Sequence, residues 1–317
     1  MKIIEINSFG SSDVLNLRST SMPCIDESMK DTLLIKVYAA GINPIDSKVR
    51  AGTSFASESV SFPLGLGYDV CGEVINKTSD VSDINVGDVV FGMLDLKKPG
   101  AYSEYCLVER HRVILKPSSI KYTEAAALPI AGLTAWQALN NHGELKKGEK
   151  VLINAAAGGV GHLAVQIAKS LWAYVIAITS SKNESFLQDL GADKVILYDQ
   201  DDFTDKVSDI DLVIYLIGGD VGEKSLDVLK SSGRVITVPT ITRDYVIEKS
   251  RNRGIVAKGM LAQMNSNDLE QIVNMLVTRN VNLHLDKVFS FDQVKIAHEL
   301  IDSGHTRGKL VLSTEVN

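Results

Sequence analysis

The segment VLINAAAGGVGHLAVQIAK, residues 151–169, carries no nucleophile, acid or base at its turn, only Ala156, Gly158, Gly159, Val160 and Gly161. The spacing predicts a buried strand over 151–154, a small-residue turn, and a helix over about 159–171. On that helix Val160, Leu163, Ala164, Ile167, Ala168 and Leu171 share one face. A strand, a Gly-x-Gly-x-x-Gly turn and a helix form the fingerprint of a dinucleotide site. Free backbone N–H groups and the positive end of the helix dipole there meet a pyrophosphate. The aligned positions are Ala156, Gly158 and Gly161, so alanine stands where the first glycine is usual.

The second strand of the same unit ends at Thr179, Ser180, Ser181 and Lys182, with no acid before Glu184. A site for NAD usually places Asp or Glu about 20 residues past the glycines, to accept the ribose hydroxyls. Hydroxyls and an ammonium suit a dianionic 2′-phosphate instead, so the cofactor expected from these residues is NADPH. The plainer reading is a serine N-cap beside a solvated lysine. Tyr198 ends the run KVILY, where it either stacks on the adenine or 2′-phosphate end or packs a strand edge.

The elements that position these residues follow from period and composition. The chain has 317 residues, 45% apolar and 23% charged, with net charge -6, which predicts a soluble protein of about two domains. The acidic balance argues against a nucleic-acid partner. No apolar run is long enough to cross a bilayer, and MKIIEINSFG lacks the apolar core of a secretory leader. Cys24, Cys71 and Cys106 are widely spaced and odd in number, as expected of reduced thiols in the cytoplasm. Neither a Cys-x-x-Cys pair nor a metal-like grouping of the six histidines is present, and surface or capping roles are expected for each histidine.

The first ~120 residues alternate as short strands, TLLIKVYAAGI the longest. EAAALPIAGLTAWQALNNHG, residues 124–143, reads as a helix kinked or divided at Pro129 and capped at Gly143. Apolar strands then alternate with helices, the pattern of a parallel sheet covered on both faces. Beyond about residue 263 the strand alternation stops, leaving two helices and a last strand in GKLVLST. The expected organisation is α/β: one domain over 1–124 and 263–317, and a doubly wound domain over 125–262.

AAGINPIDSKVRAG, PLGLGYDVCGEV, VGDVVFG, GAYSEY, AAALPIAGLTAWQAL, NAAAGGVG and RGKLVL occur in that order along nearly the whole chain. Together they resemble the medium-chain dehydrogenase/reductase superfamily, and within it the zinc-independent, zeta-crystallin-like quinone oxidoreductases. The resemblance implies a GroES-like β-barrel domain, a Rossmann domain and a homodimer formed through the Rossmann sheet edge. Zinc-dependent relatives carry a cysteine where this chain has Asn43 and a histidine where it has Tyr68, so no metal is expected. Hydride would then come from NADPH, to a small-molecule quinone or small α,β-unsaturated carbonyl whose conjugation spreads the developing charge. A larger lipid enone is the alternative substrate; a non-catalytic NADPH- or RNA-binding protein is the alternative class.

The resemblance also assigns residues. Asn43 faces nicotinamide and substrate as the catalytic polar group, or is a turn residue before Pro44. Asp46 either joins it or caps the short helical turn that ends at Gly52. Asp69 supports the barrel. Thr134 touches the nicotinamide side or faces the core. Gly218 and Gly219 admit the cofactor closely, Val238 and Pro239 lie near the nicotinamide, and Lys309 reaches the cofactor or is a solvated lysine. No tyrosine follows the Asn-Pro block in RAGTSFASES, so long-chain enoyl-thioester reduction is not expected.

Overall fold

TLLIKVYAAGI carries β-branched residues at Thr32, Ile35, Val37 and Ile42, and this run forms the eleven-residue strand Thr32–Ile42. It is the axis of the first of two units. The computed structural model describes residues 1–58 and 60–314. The first unit comprises Met1–Ile130, Met264–Glu270 and the chain from Leu285 on; the second comprises Ala131–Gln263 and Gln271–His284. The expected division gave 125–262 to the second domain and all of 263–317 to the first, whereas 125–130 groups with the first unit, and 263 and 271–284 with the second. For 271–284 the cause is local: Gln166 Nε2 donates to Asn282 O at 3.0 Å, and Gln166 Oε1 accepts from Asn282 N–H at 2.7 Å.

In the first unit, Thr32–Ile42 pairs along one side with Asp69–Lys77. Its other side is shared, first by Tyr105–Glu109 and then by Lys309–Ser313. The seven-stranded sheet continues through Val89–Met93 to Val113–Leu115, and ends on the other side at Leu285–Ser290. That last strand lies where strand alternation was expected to have stopped. LDKVFS is half exposed and carries no apolar alternation, yet it pairs in parallel with Lys309–Ser313.

Register decides the local chemistry. Gly41 lies opposite Asp69 and Val311, and Ile42 lies opposite Leu310. Residue 43 therefore emerges beside residues 69 and 309. Glycine is required at 41, because a Cβ there would sit 2.3 Å from the Ala126 carbonyl oxygen and 3.0 Å from Asp69 Cβ.

The second unit holds a six-stranded parallel sheet in the order Lys194–Leu197, Tyr174–Thr179, Lys150–Ile153, Ile210–Tyr215, Leu229–Thr237, Val256–Gly259. The central strands bury nearly every residue, as a sheet covered on both faces requires. Strand order reverses between Lys150–Ile153 and Ile210–Tyr215, which opens a crevice at their carboxyl ends. The expected single helix over 124–143 is three pieces: Tyr122–Ala127, Pro129–Trp136 and a π-helical turn Gln137–His142. Pro129 explains the first break. Gln137 marks the second, its amide exchanging two hydrogen bonds with the Gln263 backbone at 2.8 and 3.0 Å.

Candidate functional site

At the carboxyl edge of the parallel sheet, Lys150–Ile153 runs into Asn154 and then the small-residue turn. Helix Gly161–Ser170 begins two residues later than its pattern suggested. The left-handed residue of the turn is Ala155, at φ 48°, rather than the aligned Ala156. Ala156 is buried, its N–H given to Ile178 O at 3.1 Å. That shift explains how alanine stands at the aligned first-glycine position, since the turn does not place its tight bend there. Gly161 admits no side chain: a Cβ would lie 2.3 Å from Ala155 O and 2.7 Å from Ala156 Cα.

Polar atoms are left over at this edge. Asn154 is 1% exposed, and neither its Nδ2 nor its Oδ1 has a partner among the described residues. The buried Thr237 hydroxyl, at the end of Leu229–Thr237, is likewise unpartnered. Buried amides and hydroxyls without partners are costly, so both await something polar. With the free end of a ten-residue helix beside them, they fit a dinucleotide. Neither residue was singled out from sequence; for Asn154 the signal is a polar residue directly after the apolar central run VLI.

Five predicted cofactor segments collect on this edge. Gly158 to Gly161 follow the first strand. Thr179 is buried at the end of Tyr174–Thr179, followed by Ser180, Ser181 and Lys182. Tyr198 is exposed and gives its N–H to Thr179 O. Gly218 and Gly219 follow Ile210–Tyr215, with the Tyr215 hydroxyl holding Gly219 O at 2.8 Å. Val238 and Pro239 follow Leu229–Thr237, half-buried. Thr134 is buried in helix Pro129–Trp136. An acid also stands beside Ser181, where sequence order showed none: Asp199 takes the Ser181 hydroxyl at 2.7 Å and its N–H at 3.0 Å.

His162 departs from the surface role expected of it. It is fully buried, with Nδ1 2.9 Å from Gly158 O, while Nε2 accepts His284 N–H at 3.3 Å. A carbonyl accepts only, so the proton sits on Nδ1 and the ring braces the turn.

In the first unit, Asn43, Asp46, Asp69 and Lys309 form one buried polar cluster. Asn43 Nδ2 donates to Asp69 Oδ2 at 2.8 Å, and Asn43 Oδ1 accepts from Lys309 Nζ. Lys309 also donates to Ile42 O at 2.9 Å. It is 3% exposed, which excludes the solvated reading. Asp69 Oδ1 takes Ile130 N–H at 3.0 Å. Asp46 is not the helix cap expected of it. Asn43 caps helix Pro44–Ala51, and Asp46, three residues in, accepts Asn43 N–H on Oδ2 at 2.7 Å.

Two carboxylates share one ammonium in this place. Burial pushes the Asp46 carboxyl up to about 7 and Asp69 up to about 6, Lys309 opposing both. Burial also lowers Lys309, against the pull of Asp69 and Asp46. Asp46 Oδ1 and the hydroxyl of Tyr102 are buried with only each other to turn to, and their interaction lowers the Asp46 carboxyl and raises the Tyr102 phenol. Tyr102 was not singled out from sequence. Its ring meets His298 edge-on at 5.8 Å. His298 is fully buried, another departure from the surface role expected of the histidines, and its Nδ1 faces Arg50 at 3.1 Å. Burial, then Arg50, lowers it to about 3, so it is a neutral acceptor. Tyr68 is buried and gives its hydroxyl to Leu96 O at 3.1 Å.

Residues 29–118 match the alcohol dehydrogenase GroES-like domain family, and residues 190–312 match the zinc-binding dehydrogenase family. Despite the second name, no three His, Cys, Asp or Glu side chains converge to hold a metal among the described residues. The chain is 34% identical to the 2-methylene-furan-3-one reductase of Solanum lycopersicum, over 98% of this chain and 79% of that protein. It is 30% identical to the mitochondrial NAD(P)H oxidoreductase RTN4IP1 of Danio rerio, over 97% and 90%. Among solved structures, the quinone oxidoreductase from Coxiella burnetii superposes with a TM-score of 0.96 at 42% identity, over 99% of both chains. The Escherichia coli quinone oxidoreductase complexed with NADPH gives 0.88 at 25% identity, over 99% and 100%. With its blocks in order from end to end and these relatives matched over 79% or more of their length, the chain belongs to the zinc-independent quinone oxidoreductase family of the medium-chain dehydrogenase/reductase superfamily.

Proposed function

We propose that this protein is an NADPH-dependent reductase of quinones and small α,β-unsaturated carbonyls. The observation that carries the reading is the orphaned Asn154 amide beside the Gly158–Gly161 turn, at the carboxyl edge of the reversed parallel sheet. Such an edge is built to take a dinucleotide, and the relatives' names supply the class of acceptor.

NADPH, when bound, supplies the hydride. Backbone N–H groups of Gly159 to Gly161 and the helix dipole hold its pyrophosphate, the Gly158 N–H being given to Ala155 O within the turn, while Asn154 and Thr237 satisfy their amide and hydroxyl on its polar groups. Thr179, Ser180, Ser181, Lys182 and Tyr198 receive the adenosine end. Gly218, Gly219, Val238, Pro239 and Thr134 line its approach to the nicotinamide. Asn43 spends one Nδ2 proton on Asp69 and keeps the other for the oxygen on which charge develops. Lys309 and Asp69 fix that amide's orientation from either side, and Asp46 fixes its backbone. Asp46 Oδ2 accepts from Asn43, so the proton of the neutral acid sits on Oδ1, beside Tyr102. A proton is needed there, because hydride reduction of a conjugated carbonyl leaves an enolate or phenolate.

The reading extends to a cytoplasmic homodimer. Three free cysteines, with Cys71 and Cys106 buried and each pushed up to about 12, suit a reducing compartment. No helix among the described residues is long and apolar enough to cross a membrane. Val256–Gly259 is an edge strand with Val256 exposed, a surface a second copy would cover. NADPH oxidation by purified protein, followed with a panel of quinones, enals and larger enones, tests the activity. Turnover of a quinone or small enal is expected. No oxidation with any acceptor refutes the proposal.

A further inference from the structure

We infer that Asp199 is a specificity-determining residue that weakens recognition of the 2′-phosphate, so that the protein accepts NADH alongside NADPH. The inference rests on the proposed placement of the adenosine ribose at Thr179 to Lys182.

Register brings the acid to this place. Tyr174–Thr179 and Lys194–Leu197 pair in parallel with Thr179 opposite Leu197, and Tyr198 N–H goes to Thr179 O. Two residues past each strand end, Ser181 and Asp199 therefore meet. Asp199 Oδ2 takes the Ser181 hydroxyl at 2.7 Å, and Oδ1 takes its N–H at 3.0 Å. The two donors that would serve a phosphate at Ser181 are both committed to a carboxylate. These hydrogen bonds hold Asp199 below the usual carboxylate range, so it is charged at neutral pH.

A 2′-phosphate and a ribose 2′-hydroxyl see this arrangement with opposite sign. A serine hydroxyl has one proton to give, so a phosphate oxygen must displace Asp199 or forgo that bond. Its dianion would also stand about 5 Å from the carboxylate, a repulsion worth about tenfold in affinity even in a water-like medium. A free 2′-hydroxyl instead donates to Asp199, as it does to the acid that ends the second strand in NAD sites. In this chain the third strand supplies the acid that the second lacks.

The test uses the full-length protein, with 2′,5′-ADP and 5′-ADP as probes that carry or lack the 2′-phosphate, titrated calorimetrically. Asp199→Asn keeps an oxygen for Ser181 N–H and removes the charge. The ratio of Kd for 5′-ADP to Kd for 2′,5′-ADP is expected to rise by about tenfold, and the ratio of kcat/KM for NADPH over NADH to rise with it. Adding Ser181→Ala to Asp199→Asn should remove only the part of the gain that comes from the freed hydroxyl, and leave the part that comes from the lost charge. A thermal melt establishes that each variant is folded, and Asp199→Ser stands in if Asp199→Asn is not. Binding of both probes with a ratio that moves less than about threefold, or falls, overturns the role of Asp199 while leaving the ribose site in place. Binding of neither probe by the wild type overturns the site and the inference together.

Discussion

Asp46 gives the sharpest test of the buried cluster. Its carboxyl is raised from 3.8 to about 7, with burial the largest cause and Asp69 adding to it. Between these values the folded protein keeps a proton that the unfolded chain releases. The wild type therefore loses stability as pH rises from about 4 to about 7, and the loss levels off above that. A rise of this size costs about 4 kcal/mol at about 1.4 kcal/mol per pH unit. Asp69 and Lys309 titrate with Asp46, so ~2–4 kcal/mol is the expected range for Asp46 alone. Asp46→Asn keeps an oxygen for Asn43 N–H and has no charge to bury. With an unfolding entropy of about 2.1 cal/mol/K per residue over the chain, its melting temperature should gain ~3–6 °C on the wild type between pH 4 and pH 8. Parallel thermal melts of both proteins across that range measure it. A gap that stays constant, or one that closes as pH rises, would mean that Asp46 is charged and well satisfied in the fold, and the account of the cluster would fail.

Two further substitutions probe the parts independently. Gly161→Ala places a Cβ 2.3 Å from Ala155 O. It should cost ~1–3 kcal/mol in stability and weaken NADPH binding at least about tenfold, as read by fluorescence titration; unchanged affinity would remove the turn from the cofactor site. His298→Gln removes a base held near 3 that the unfolded chain protonates near 6.5. Wild-type stability attributable to His298 is lost as pH falls through that window, so the variant should gain on the wild type by about 3 kcal/mol from pH 7 to pH 4. Urea unfolding at the two pH values checks this.

What the sequence shows of the site depends on how far apart the partners lie. The glycine turn, its strand and its helix sit within about twenty residues, and hydrophobic period alone places them. The ends of the parallel strands are also legible, because strands buried on both faces are nearly all apolar. The Asn43 cluster is not legible in the same way. Asn43 and Lys309 lie 266 positions apart, and only the pairing of Ile42 with Leu310 brings them together. For the same reason Lys309 reads equally well as a surface residue. Asp199 is hidden by register: it follows the third strand, while the acid that usually decides ribose chemistry follows the second. Leu285–Ser290 is missed because its apolar residues do not alternate and half of it is exposed, and its strand character comes from its partner. His298 is missed because a histidine on an amphipathic helix gives no sign of the arginine, Arg50, that reaches it from another element.

The cluster is poorly explained as a stabilising device. Burying two carboxyl groups and a lysine takes three ionisable groups out of solvent, and Asp46 keeps its proton near neutral pH as a result. Replacing such groups with apolar side chains of similar volume is often neutral or stabilising. The hydrogen bonds that Asn43 and Ile130 donate to the two carboxyl groups reduce the cost, yet Asp46 Oδ1 and the Tyr102 hydroxyl have only each other. A core built for stability would hold apolar side chains in their place. What the arrangement does achieve is to hold one carboxamide rigidly, through its oxygen, its nitrogen and its backbone, with an acid beside it that keeps its proton near neutral pH. A fixed donor and a retained proton are what hydride addition to a conjugated carbonyl requires of a protein, so the stability given up here is best accounted for by that chemistry.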